Sequence, residues 1–258
     1  MRTIQRRIAW SVLALAVLSW PVACILKMLQ VHRIAKDTSS SLIQYNPDFG
    51  LPTGRVIECQ WTLGYCRIVG FSCRDQQSFD ILSRCGRIER LFVSDMSANA
   101  SFCETLARIR VSSVTLLGLS VDINVAVALS QTNAKDVALR SCLLADGDGT
   151  FAMIEEMSVS QYVFTCRSSQ PLKYVPIPRS TSKLLLVSTL LPENLDEFAA
   201  SSGDLKVMEL WIADFRNEKL DWICSSIPLK AVFLRGKNCN LTSMAACSEE
   251  KKVVHALR

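Results

Sequence analysis

Acid–base and nucleophilic catalysis at neutral pH usually recruit histidine. This chain has two, His32 and His255, one in the N-terminal segment and one close to the C-terminal residue. Neither falls where it could complete a Ser/His/Asp or Cys/His arrangement inside the body of the sequence. No GxGxxG or GxxxxGK[ST] loop is present to cradle a phosphate. Glu155 and Glu156 are adjacent, so on a strand they point to opposite faces and cannot work as a pair. Asp146-Gly-Asp-Gly-Thr150 resembles the opening of a calcium loop but lacks the downstream glutamate order. Eleven cysteines cannot all pair within one chain, and no CxxC occurs. Cys59, Cys66 and Cys73 stand seven apart, a poor match to the short spacings that hold zinc. Their expected role is packing as small hydrophobes. The alternative is a disulfide among Cys59, Cys66, Cys73 and Cys85 in an oxidising compartment. No catalysis, cofactor or metal is expected. The net charge is +5, and the basic residues form no dense stripe, so nucleic acid is not expected as a partner.

The remaining asset is surface, and a repeat organises it. Ile88-Glu-Arg-Leu91-Phe-Val93 reads apolar-x-x-apolar-x-apolar, with a further apolar residue at Ala98. The fourth position recurs at Leu91, Val114, Val137, Met157, Leu184, Met208 and Val232. The sixth recurs at Val93, Leu116, Leu139, Val159, Leu186, Leu210 and Leu234. Counting the first and eleventh positions as well, only Thr181 of 28 slots is not apolar. At 49% hydrophobic content chance would fill half. Residues two apart share one face of a strand. One short strand cannot bury its row alone, whereas stacked copies cover one another. The expected architecture is therefore α/β: a solenoid with a short-strand parallel sheet on its concave side.

The pattern resembles the leucine-rich-repeat family, L-x-x-L-x-L-x-x-N/C-x-L over about 20 to 29 residues. The resemblance runs from Ile88 to Cys239 and extends back toward Cys66. It implies a binding face and is silent on chemistry. One slot departs from it. The ninth position, an Asn or Cys that satisfies turn backbone in the family, reads Met96, Leu119, Cys142, Tyr162, Thr189, Ala213 and Lys237. Only Cys142 fits, so the turn N–H groups need other partners.

Positions five and seven of each repeat should point to the concave side. The fourth repeat contributes Ser158 and Ser160 there. The last three contribute Leu185 and Val187, Glu209 and Trp211, and Phe233 and Arg235. Aromatic residues and arginine are the usual anchors of protein interfaces. These six form the candidate partner-binding surface, for a protein partner whose identity the sequence does not give.

Between the strands, Phe102–Ile109, Pro192–Phe198 and Leu220–Ile227 have helical spacing. Pro171, Pro176 and Pro178 bar a helix from that return segment. Asn99-Ala-Ser101 and Asn240-Leu-Thr242 are glycosylation acceptors if the chain is eukaryotic and lumenal.

The N-terminus reads differently. Residues 1–7 are basic, with Arg2, Arg6 and Arg7. Ile8 to Leu26 is 19 residues without a charge, about 28 Å as a helix, close to a hydrocarbon core of about 30 Å. Residues 8–29 are expected to form a transmembrane signal anchor, with Trp10 and Trp20 near the interfaces. A cleaved signal peptide would cut near Ala23 with Pro21 badly placed. A lipoprotein cut before Cys24 matches its motif only in the last residues, and a buried core helix is the remaining reading. A linker follows over 30–55, then the repeat domain over 56–240 and a capping helix over 241–258. The expectation is a single-pass membrane protein, its repeat domain outside the cytoplasm and used for protein binding or scaffolding. The alternatives are an intracellular repeat adaptor without a true span and a secreted repeat protein.

Overall fold

Strands form where the two-residue alternation of apolar side chains falls, and each lies beside its neighbour in the chain. The computed structural model describes residues 2–44, 54–62, 65–85, 87–145, 148–166, 173–214, 230–237 and 252–257. The helices are α1 (Arg2–Asp37), α2 (Gln76–Ser83), α3 (Ala100–Arg108), α4 (Ile123–Gln131), α5 (Asp148–Glu155) and α6 (Leu195–Ser201). The strands are β1 (Ser41–Gln44), β2 (Val56–Thr62), β3 (Tyr65–Cys73), β4 (Ile88–Ser94), β5 (Val111–Leu117), β6 (Ser120–Val121) and β7 (Asp136–Arg140). They continue with β8 (Leu143–Leu144), β9 (Gln161–Thr165), β10 (Lys183–Ser188), β11 (Val207–Asp214), β12 (Ala231–Lys237) and β13 (Lys252–Leu257).

Eleven strands make one sheet in the order β1-β2-β3-β4-β5-β7-β9-β10-β11-β12-β13, and β6 pairs with β8 in a second row. Only the β2–β3 hairpin is antiparallel; every other pairing is parallel. The chain is thus a mixed α/β fold around a large, mostly parallel sheet.

Register explains why the apolar pattern repeats. Leu91, Val114, Val137, Tyr162, Leu184, Met208 and Val232 are partners across successive strands. Val93, Leu116, Leu139, Phe164, Leu186, Leu210 and Leu234 form the next rung. All fourteen are at most 2% exposed and join one core with Phe79, Phe102 and Leu129 from the helices. Burying an aliphatic side chain of this size stabilises by about 1.5–3 kcal/mol.

One register expectation needs correcting. The fourth repeat is aligned on Tyr162 and Phe164, not on Met157 and Val159. Met157 and Val159 are buried but lie in the connection between α5 and β9. A turn carrying two apolar residues two apart mimics a strand in one-dimensional reading. Ahead of the first full repeat, Phe71 and Cys73 pair with Leu91 and Val93, so the rungs extend back into β3. The β2–β3 hairpin carries a register shift between Glu58 and Cys59, and such bulges displace an alternation by a residue.

Local signals set the helices. Asp75, Asn99 and Asp122 cap α2, α3 and α4, each side chain accepting from the third backbone N–H onward, a contribution of about 1 kcal/mol each. The helical returns expected at Phe102–Ile109 and Pro192–Phe198 correspond to α3 and α6. The one at Leu220–Ile227 lies outside the described residues, as do Asp146 and Gly147 of the calcium-like stretch and Asn240. No helix forms around Pro176 and Pro178, where Val175 and Ile177 are buried in irregular backbone. The missing ninth-slot ladder is replaced by main chain. Gly118, Ser141 and Cys166 donate their N–H groups to the carbonyls of Arg140, Thr165 and Val187 on the next strand. The chain leaves β4, β5 and β7 through left-handed turns at Asp95, Gly118 and Ser141. Cys142, the one residue that fits the slot, points its thiol at the Leu116 carbonyl, 3.4 Å away.

Both ends differ from expectation. Helix α1 runs on to Asp37, and β1 pairs with β2, so 30–44 is not a linker. Val31 and Ala35 are buried against the domain, and Thr38 Oγ1 donates to the Ile34 carbonyl. Residues 45–53 lie outside the described residues. At the C-terminus Lys252–Leu257 is a strand parallel to β12, not part of a capping helix. The free edge of β12 offers a ladder of backbone partners, and Val253-Val254 is β-branched, so pairing wins over helical spacing. The rest of that segment, 241–251, lies outside the described residues.

Among the described residues no helix is long and apolar enough to cross a membrane. Within residues 8–29, side chains are described at Trp10 and from Ser19 onward. There Trp10, Trp20, Val22, Ile25, Leu26 and Leu29 are 47–70% exposed, which makes α1 the main carrier of exposed large apolar side chains among the described residues.

Candidate functional site

The sheet has two faces. One is covered by α2 to α6; the other bears residues five and seven of each repeat. Strand pairing sorts these into rungs. Leu185, Glu209 and Phe233 are partners in one, and Val187, Trp211 and Arg235 in the next. The six residues singled out from the sequence therefore form one contiguous patch. The fourth repeat presents Val163 and Thr165 here rather than Ser158 and Ser160.

Trp211 is the centre of the patch and remains 37% exposed. Its Nε1–H donates to Glu209 Oε1 at 2.6 Å. The Arg235 guanidinium lies over the indole ring, 4.8 Å from its centroid, a cation–π contact of about 0.5–1 kcal/mol at an exposed site. Both neighbours fix the orientation of the indole. An aromatic fixed this way loses little freedom when a partner covers it.

Beside the indole lies a cleft of about 390 Å³ lined by Cys166, Val187, Ser188, Thr189, Trp211, Ile212, Ala213 and Arg235. The hydroxyls of Ser188 and Thr189 are closed off from this cleft and have no hydrogen-bond partner among the described residues.

The patch has a polar margin earlier in the sheet. Arg140 sits on the same rung as Val187 and Trp211, two strands before Val187. Burial pushes its guanidinium below the usual arginine value, and its Nε has no partner among the described residues. Asp136, one strand turn away, is pushed up by burial and pulled back by Lys183. At the N-terminal end Glu58, Gly70 and Arg90 are consecutive partners. The absence of a Cβ at Gly70 lets Arg90 reach across two strands to Glu58, with contacts of 3.0 Å and 2.8 Å. Sequence reading missed this rung, because a Glu–Gly–Arg row spread over 32 residues carries no local signal.

A tyrosine and a carboxylate meet on the opposite side of the molecule. Tyr174 donates its hydroxyl to Glu155 and stacks on Phe151. The hydrogen bond to that carboxylate pushes the phenol up to about 12.

The chain matches no protein-family model and no curated protein. Among the described residues no group of three His, Cys, Asp or Glu side chains stands close enough to hold a metal ion. The cysteines follow burial. Cys59, Cys66, Cys73 and Cys142 are buried thiols, and burial raises each of them above the ordinary cysteine value. Thiolate, the reactive form, is therefore disfavoured at all four.

Proposed function

We propose that this is a membrane-anchored, leucine-rich-repeat-like protein whose open sheet face binds a protein partner. The observation that carries the reading is the patch around Trp211: an exposed indole held by Glu209 and Arg235 beside a mainly apolar cleft. Interfaces concentrate their energy in such aromatic and arginine anchors. The monotonic strand order with a returning segment after each strand supports the repeat assignment. The uncharged stretch from Ile8 to Leu26 within one continuous helix supports the anchor. The three arginines ahead of it favour a cytoplasmic N-terminus and a domain outside. No catalytic role is proposed.

The test is proximity labelling in the native host, followed by quantitative capture of the labelled candidates on purified wild-type and Trp211→Ala protein. Truncating a central anchor costs about 2 kcal/mol or more, so capture should fall by about thirtyfold while circular dichroism is unchanged. Equal recovery of every candidate by both proteins would remove the patch from the binding surface. Membrane fractionation separates this reading from an intracellular adaptor: the anchored protein stays with membranes through alkaline carbonate.

A further inference from the structure

The sequence treats the basic residues as scattered, but the fold gathers four of them. Lys27 of α1, Arg67 of β3, and Arg84 and Arg87 of the α2–β4 connection line one cleft of about 480 Å³. Its remaining lining is Gln30, Ile34, Ile68 and Cys85, with no carboxylate. None of the three arginines makes an ion pair among the described residues, and all three are exposed. Lys27 Nζ donates to Gln30 Oε1 at 3.0 Å, an exposed bond that leaves donors free. Four cations held around one concavity repel one another, and an anion between them removes that cost.

The position of the cleft says which anion. Helix α1 docks through Val31 and Ala35, and one turn earlier its outer side carries Ile25, Leu26 and Leu29, each more than half exposed. Trp20 follows on the same helix at 47%. Trp61, 45% exposed, is the cross-strand partner of Cys66, and Cys66 feels the charge of Lys27. Exposed apolar side chains, two tryptophans and a cationic cleft therefore meet at one end of the domain. These are the components of a bilayer interface: apolar side chains for the acyl region, tryptophans for the aromatic belt and cations for the headgroup phosphate. We propose that this cleft seats the phosphate-bearing headgroup of an anionic phospholipid and fixes the domain against the membrane. This rests on the anchor reading of α1. The docked helix leaves no slack between span and domain, so a bound headgroup would set the domain's orientation as well as its distance.

The test uses the full-length chain in neutral detergent micelles, titrated with phosphatidylglycerol, phosphatidylcholine or inorganic phosphate and followed by native mass spectrometry. One phosphatidylglycerol should bind in preference to phosphatidylcholine. Each basic residue near an anionic surface contributes about fivefold, so Arg84→Glu with Arg87→Glu should weaken phosphatidylglycerol by at least about 25-fold. The Arg84→Lys, Arg87→Lys protein should retain the preference, and both variants should melt with the wild type because the two side chains are exposed. Equal binding of the two lipids, or a charge-reversed protein that still prefers phosphatidylglycerol, would overturn the headgroup site. Inorganic phosphate binding as tightly as the lipid would overturn the lipid source and leave a free-anion site. Alkaline carbonate extraction of membranes reads the anchor separately: release of the wild-type protein would overturn the anchor, and with it this proposal.

Discussion

Gly70→Ala is the most informative single change, because its cost can be built from named contacts. A Cβ at Gly70 would stand 2.5 Å from Glu58 Oε2, 3.0 Å from the Arg90 carbonyl oxygen and 3.2 Å from Arg90 Cβ. The nearest of these is one half of a two-bonded carboxylate–guanidinium pair. Glu58 is 7% exposed and Arg90 27%, so the carboxylate has little water to fall back on. Separating a buried pair costs about 3–5 kcal/mol, and the partial exposure of Arg90 lowers the expected figure to about 3 kcal/mol. For a chain of this length that is a fall in Tm of about 6–12 °C, read by circular dichroism on the full-length protein in detergent. A second variant separates clash from other causes. Glu58→Ala alone takes the carboxylate from a guanidinium that can still reach solvent, at about 1–2 kcal/mol. In the Glu58→Ala background the same glycine substitution meets only the Arg90 carbonyl and Cβ. The two changes should therefore be less than additive, by about 1–2 kcal/mol. A Gly70→Ala protein that melts with the wild type, or strict additivity, would refute the rung.

The docked end of α1 gives a paired expectation: Val31→Asp, at a site 1% exposed, should destabilise the domain by about 3 kcal/mol or more. Leu29→Asp, 57% exposed, should leave the melt unchanged and weaken retention on membranes. Tyr174 makes a pH prediction. Its phenol is raised toward about 12 by Glu155, so the neutral form is favoured in the folded state; that contribution is complete below the ordinary tyrosine value of about 10 and is lost as pH climbs through the folded one. Alkaline melts should show wild-type stability falling across that window and Tyr174→Phe falling less; parallel curves would remove the hydrogen bond from the account. Cys59 and Cys66 are buried next to each other, so a domain facing an oxidising compartment should yield the two as a disulfide when membranes are denatured directly into an alkylating agent. Both recovered alkylated would place the domain on the reducing side.

The candidate patch was legible because it depends on period alone. Once Leu184, Met208 and Val232 are recognised as equivalent, Trp211 must share a face with Glu209 and stand beside Val187 and Arg235. The fourth repeat was misread for the same reason: Met157 and Val159 satisfy the apolar rule, and one-dimensional spacing cannot tell a buried turn from a strand. Tyr162 falls in the ninth slot when the repeat is set on Met157, yet it is fully buried, its hydroxyl without a partner among the described residues. The bulge in the first hairpin leaves Val69 unpaired between Ile68 and Gly70, and Gly70 is the one local sign of it.

What the sequence determined by itself was the local and the periodic: where strands alternate, which side chains share a rung, where Asp75, Asn99 and Asp122 start helices. Those follow from backbone geometry and short-range hydrogen bonding, which neighbours in the chain settle. The tertiary structure alone decided the groupings between distant segments: Glu58 with Arg90 across Gly70, Lys27 with Arg67, Arg84 and Arg87, α1 against β3, and β13 on the edge of β12. Each joins residues separated by tens of positions, and burial and charge act through space, so their effect exists only after the chain has closed on itself.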